Sequence, residues 1–265
     1  MKRLILIAGL LMAITLPALA QENPIAQISQ NPGWCTLIHR WGFIGDSLCS
    51  GEHEYAREDG TKVWHDVFEY SWGQRIVAAV GGAVGYNFSQ GGETAKGWIE
   101  HFWDYPMNRN ADISAKAHPC QAYIMALGCN DKHNFAAGDA HKDINLADYT
   151  QNADTFAGYY GGIIQRVRSL QPKAPIFVVT LPHLYGNEAI SAQIRAMADI
   201  FDNIYVLDLE KYAPEYDTPE FRARYFLDGH LNAAGYQFTA WMFMTYINWY
   251  MERNLPAFSE IALMN

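Results

Sequence analysis

The sequence predicts an α/β domain, a three-layer α/β/α sandwich built on a mainly parallel five-stranded sheet. Three observations predict it. Short apolar runs recur at 41–44, 84–88, 122–127, 175–181 and 204–207. They are continuous rather than alternating, as strands covered on both faces require. Helical patterns at 72–80, 149–170, 188–201 and 233–254 lie between or after these runs, and no linker, repeat or low-complexity tract breaks the series.

The first twenty residues stand apart. Lys2 and Arg3 precede a mostly apolar stretch, and Ala18-Leu19-Ala20 forms a small-x-small site before Gln21. The expectation is a secretory signal peptide, 1–20, cleaved near Ala20 and leaving 21–265 as one exported domain, periplasmic or extracellular. The stretch is short for a membrane span. The first strand then ends in Gly45-Asp46-Ser47-Leu48, and the second in Ser89-Gln90-Gly91-Gly92. The third ends in Gly128-Cys129-Asn130-Asp131, the fourth is closed by Pro182, and the fifth is short. Gly158, Gly161 and Gly162 weaken the middle of the helix at 149–170. The last helix is rich in Phe, Trp and Met, but Gln237, Thr245, Asn248, Glu252 and Arg253 interrupt it. That pattern predicts an amphipathic helix packed on the sheet, with no membrane span.

A formal net charge of −9 opposes nucleic acid or anionic membranes as partners. Cys35, Cys49, Cys120 and Cys129 fit no zinc spacing. In an oxidising compartment they could pair, or they are small buried hydrophobes. Gly81-Gly82-Ala83-Val84-Gly85 precedes a strand instead of following one, so it reads as a turn and not a dinucleotide loop. His133 and His141 sit in a polar loop without a ligand partner at a suitable spacing. No metal or cofactor is expected.

In an open α/β sheet, ligands bind beyond the carboxyl ends of the strands. Ser47 occupies such an end and is a candidate nucleophile, which needs a base, an orienting group and oxyanion donors. Each candidate also has a plain reading: Ser47 or His230 as a helix cap, Gly91-Gly92 as a turn, Asn130 as an Asx-turn. Their joint occurrence, in order and each at an element boundary, favours a catalytic constellation. Asp228-Gly229-His230-Leu231-Asn232 completes it, at the start of the last helix.

On these four islands, between Phe43 and Tyr236, the chain resembles the SGNH hydrolases, the GDSL esterase/lipase family. The resemblance implies a flavodoxin-like fold and names the catalytic residues. Ser47 is the nucleophile and His230 the general base. The Ser47 N–H, the Gly92 N–H and the Asn130 amide form the oxyanion hole. Gly92 is preferred to Gly91 because Gly92-Glu93-Thr94 fits the family's Gly-x-Thr spacing. One position departs from the pattern. The family's acid lies three residues before the base, where this chain has Leu227, and Asp228 lies two before. Asp228 is expected to orient His230 from a tighter loop; the alternatives are another carboxylate, a backbone carbonyl or no group. The expected function is an exported serine esterase working through an acyl-serine, on short acyl (O-acetyl) esters of carbohydrate. A lipase, lysophospholipase or thioesterase of the same family, and a non-catalytic glycan-binding scaffold, are the alternatives. The substrate is a small-molecule or glycan ester in either enzymatic case.

Overall fold

The computed structural model describes residues 22–104 and 114–261, so the expected signal peptide lies outside the described residues. The strands are β1 Arg40–Gly45, β2 Glu52–Ala56, β3 Lys62–Asp66, β4 Val84–Ser89, β5 Ala122–Ala126, β6 Ile176–Val179, β7 Ile204–Leu207, β8 Phe226–Leu227 and β9 His230–Leu231. The helices are α1 Ser47–Ser50, α2 Trp72–Val80, α3 Ala95–Trp98, α4 Ala140–Asp143, α5 Phe156–Leu170, α6 Glu188–Ile200, α7 Leu209–Tyr212, α8 Pro219–Tyr225, α9 Ala233–Arg253 and α10 Leu255–Phe258.

The central sheet runs β4-β1-β5-β6-β7, and every neighbouring pair is parallel. Counted along the chain this is the order 2-1-3-4-5 of flavodoxin-like folds, with its switch point between β1 and β5. The continuous apolar runs are explained by two cores, one on each face. Trp41, Phe43, Ile124, Phe177, Val179, Tyr205 and Leu207 point to one face, where α2 and α9 pack and Trp72 meets Phe243 edge to face. Ile44, Tyr123, Met125, Ile176, Val178 and Ile204 point to the other, against α3, α5 and α6. Each fully buried Phe or Leu on these faces contributes about 1.5–3 kcal/mol over its exposed state. The three-layer sandwich expected from the sequence is the observed one.

Helix starts follow local chemistry. Ser71, Thr155, Asn187 and Asn232 cap α2, α5, α6 and α9 through their side chains. The Thr155 cap is why α5 begins at Phe156 and not at 149; Tyr149–Gln151 forms a separate 3-10 turn. Among the described residues, no helix is long and apolar enough to cross a membrane. All four cysteines are free thiols, and Cys35, Cys49 and Cys120 are buried, which matches the reading as small hydrophobes.

Two antiparallel hairpins lie outside the central sheet: β2–β3, inserted between α1 and α2, and β8–β9, just before α9. The sequence reading had neither. Both pack on α1, and β2 packs against β8 and β9.

Candidate active site

Ser47 follows β1 and opens α1, capped by Asp46, whose carboxylate accepts from the Leu48 N–H at 3.1 Å. The first N–H groups of a helix have no intrahelical acceptor. The Ser47 N–H is one of these. Asp46 is buried beneath this turn. Burial pushes its carboxyl up to about 7, against the lowering pull of the Leu48 N–H.

The loops after β4 and β5 lock onto each other. The Asn130 Nδ2 donates to the Glu93 carbonyl at 3.0 Å, and the Ala95 N–H donates to Asp131 Oδ1 at 2.9 Å. Burial holds the Asp131 carboxyl up at about 6, with Oδ2 unpartnered among the described residues. Gly92 has φ +76°, a left-handed conformation that favours glycine, while a Cβ there would meet open space. Gly91 beside it is in contact with two carboxylates. Its N–H donates to Asp66 Oδ2 at 3.0 Å, and an added Cβ would fall 2.0 Å from Glu52 Oε2.

His230 is the first residue of β9, in register with Leu227. The intervening Asp228-Gly229 is a two-residue turn, with Asp228 at φ +56°. This turn corrects the expectation for Asp228. Its side chain points out of the hairpin, is 55% exposed, and pairs with Lys62 Nζ instead of the imidazole. The group on His230 Nδ1 is Glu54, whose Oε2 lies 3.1 Å away. The same oxygen accepts the Gly229 N–H at 3.0 Å, and Oε1 accepts from Lys62 Nζ at 2.8 Å. Glu54 is buried, which acts to raise its carboxyl. Hydrogen bonds from Lys62, His230 and Gly229 outweigh this and hold it down at about 2. Nε2 of His230 meets a second carboxylate, Glu52 Oε1, at 3.0 Å. Burial opposes charging of the ring, but the two carboxylates prevail and its pKa is raised.

Glu52 and Glu54 come from one face of β2, two residues apart, as strand alternation dictates. Sequence reasoning missed both because it missed the hairpin. A signal was present: Asp59-Gly60, with Gly60 at φ +82° turning the chain between β2 and β3. An apolar cavity of about 50 Å³ is lined by chain neighbours of the site residues, Asp46 and Leu48 on either side of Ser47 and Leu231 after His230, and by Trp72, Cys129 and Phe243.

Ser47, Gly92 and Asn130 thus follow the carboxyl ends of β1, β4 and β5, and β9, which His230 opens, packs on α1. Among the described residues, no cluster of His, Cys, Asp and Glu could hold a metal ion.

Comparison with known proteins bears on the family and the fold. The sequence model of the GDSL-like lipase/acylhydrolase family matches residues 43–238. Among solved structures, a candidate GDSL-like lipase from Bacteroides uniformis superposes with a TM-score of 0.50 at 16% identity, covering 82% of this chain and 96% of its own. Another from Bacteroides ovatus gives 0.50 at 16% identity, covering 80% and 97%. A search of curated proteins finds no match. At such identities the structural likeness shows the fold; the family match spans most of the chain and every island of the site. The chain belongs to the GDSL-like lipase/acylhydrolase family of ester-hydrolysing enzymes.

Proposed function

We propose that the chain is an exported serine esterase whose triad is Ser47, His230 and Glu54. Ser47 Oγ attacks the ester carbonyl while His230 Nε2 takes its proton. The Ser47 N–H, the Gly92 N–H and the Asn130 amide hold the oxyanion, each donor being worth roughly 3 kcal/mol of barrier. His230 passes the proton to the leaving alcohol, and water then cleaves the acyl-serine by the same steps in reverse. Glu54 fixes the tautomer through Nδ1 and faces the imidazolium as it forms.

The observation that carries this reading is the Glu54 carboxylate. It accepts from His230 Nδ1, a backbone N–H and a lysine at once, the way a buried triad acid is held. The small apolar cavity lined by Asp46 and Leu48, the chain neighbours of Ser47, supports a short acyl group. A glycan as the alcohol component is supported by Trp64, paired across the hairpin with Glu54 and 49% exposed on the side that faces the site. Export rests on the leader's composition.

The test is hydrolysis of p-nitrophenyl acetate, butyrate and octanoate by the mature chain and by Ser47→Ala. Turnover that falls with chain length and drops about 10³-fold or more in Ser47→Ala is expected. Preference for octanoate moves the substrate to lipids. Full activity in Ser47→Ala removes the serine mechanism.

A further inference from the structure

We propose that Glu52 is a positioning residue of this site, holding the His230 imidazole by Nε2 in the resting enzyme and releasing it to Ser47 when the base is needed. The proposal rests on the assignment of Ser47 and His230 above.

The Glu52 carboxylate bridges two parts of the site. Oε1 lies 3.0 Å from His230 Nε2, and Oε2 packs against the α-carbon face of Gly91 in the oxyanion loop. The Glu52 backbone is held in turn, because the Tyr236 hydroxyl donates to the Glu52 main-chain carbonyl at 2.7 Å. With a carboxylate within 3.1 Å of each ring nitrogen, the protonated ring is favoured and the His230 pKa is raised. A general base needs a bare Nε2. Its proton therefore leaves to solvent before Ser47 can be activated, and the Glu52 contact sets how readily it does so.

The surroundings leave Glu52 as the group that faces Nε2. From β2, Glu54 is on Nδ1; from β3, Lys62 is on Glu54 and Asp228, while Asp66 is on Gly91 and Ser50. From α1, Asp46 lies buried beneath the turn. From α8, Arg222 donates to the Asp228 carbonyl, and the Tyr185 hydroxyl donates to the Gly229 carbonyl. None of these is hydrogen-bonded to Nε2.

Two variants reach the contact from opposite sides. Glu52→Gln removes the charge in place. Gly91→Ala leaves Glu52 intact but puts a methyl group where its Oε2 lies, and the end of a flexible side chain moves more cheaply than backbone. The experiment is an NMR titration of ¹⁵N-histidine-labelled mature protein, with the His230 signal assigned by its loss in His230→Ala. The pH profile of kcat/KM on p-nitrophenyl acetate is measured alongside. In both variants the His230 midpoint should fall by about one unit or more, the usual reach of a carboxylate at contact distance. The acid limb should move with it, raising activity at about pH 6 relative to the alkaline plateau roughly tenfold per unit. An unmoved midpoint in both variants overturns the contact, and a midpoint that falls without the acid limb overturns the role. Failure of the underlying assignment shows separately, as turnover retained in Ser47→Ala.

Discussion

At the scale of single residues, the site turns on which carboxylate His230 uses. Asp228 is the acid nearest to it in sequence, and at the tip of a two-residue turn it points at Lys62 and solvent. Glu54 is far away in sequence and meets Nδ1. The two make opposite predictions. Glu54→Gln keeps the shape but loses the charge and the tautomer preference, so kcat should fall by about 10³–10⁴-fold. Asp228→Asn removes one arm of an exposed ion pair, worth at most about 1 kcal/mol, so activity should change by less than about fivefold. Steady-state kinetics of the two variants on p-nitrophenyl acetate decides between the acids. A loss at Asp228→Asn as large as at Glu54→Gln would return the role to Asp228.

At the scale of elements, what was legible and what was not divides by the kind of signal. The five core strands and helices α2, α6 and α9 were read to within a few residues, because burial on two faces writes itself into continuous apolar runs. Ser47, Gly92 and Asn130 follow the carboxyl ends of such strands, whereas His230, expected at the start of α9, opens β9 of a hairpin. The hairpins were not read. β2 and β3 are short and mostly polar, with Glu, His, Lys and Asp at the positions an apolar pattern would fill, since their buried face covers a charged site. Their mark was the turn: the chain has two Asp-Gly dipeptides, Asp59-Gly60 and Asp228-Gly229, and each joins two antiparallel strands. Reading the second as a turn would have taken Asp228 off the imidazole at the outset. The β2–β3 hairpin also carries Trp64 into the open beside Glu54. If it stacks on a sugar ring, Trp64→Ala should raise KM for an acetylated oligosaccharide by about 3–10-fold, the value of one aromatic contact. An equal rise on p-nitrophenyl acetate, which has no sugar, would assign the loss to the hairpin's fold instead.

At the scale of the whole molecule, the site concentrates negative charge, and this ties stability to pH. Burial raises Asp46 to about 7 and Asp131 to about 6, both far above their unfolded value of 3.8. A carboxyl raised in the folded state binds its proton more tightly there than in the unfolded chain. Its contribution is full below about pH 4 and is lost as pH rises through 6 to 7. His230, raised from 6.5, has the same sign, and its contribution fades as pH climbs through its folded value. Glu54 has the opposite sign: held at about 2, it stabilises above its unfolded 4.5 and is lost as pH falls towards 2. Together these place maximum stability on the mildly acidic side of neutrality, whereas the base needs a higher pH to shed its proton. Thermal unfolding should therefore give a higher midpoint at about pH 5.5 than at about pH 8. Asp46→Asn separates the largest of the buried carboxyls. Asparagine keeps an acceptor for the Leu48 N–H but has no proton to lose, so the variant's midpoint should gain on the wild type as pH rises across that interval. A gap between the two proteins that stays constant from about pH 5.5 to 8 would show that Asp46 ionises as freely in the fold as in the unfolded chain.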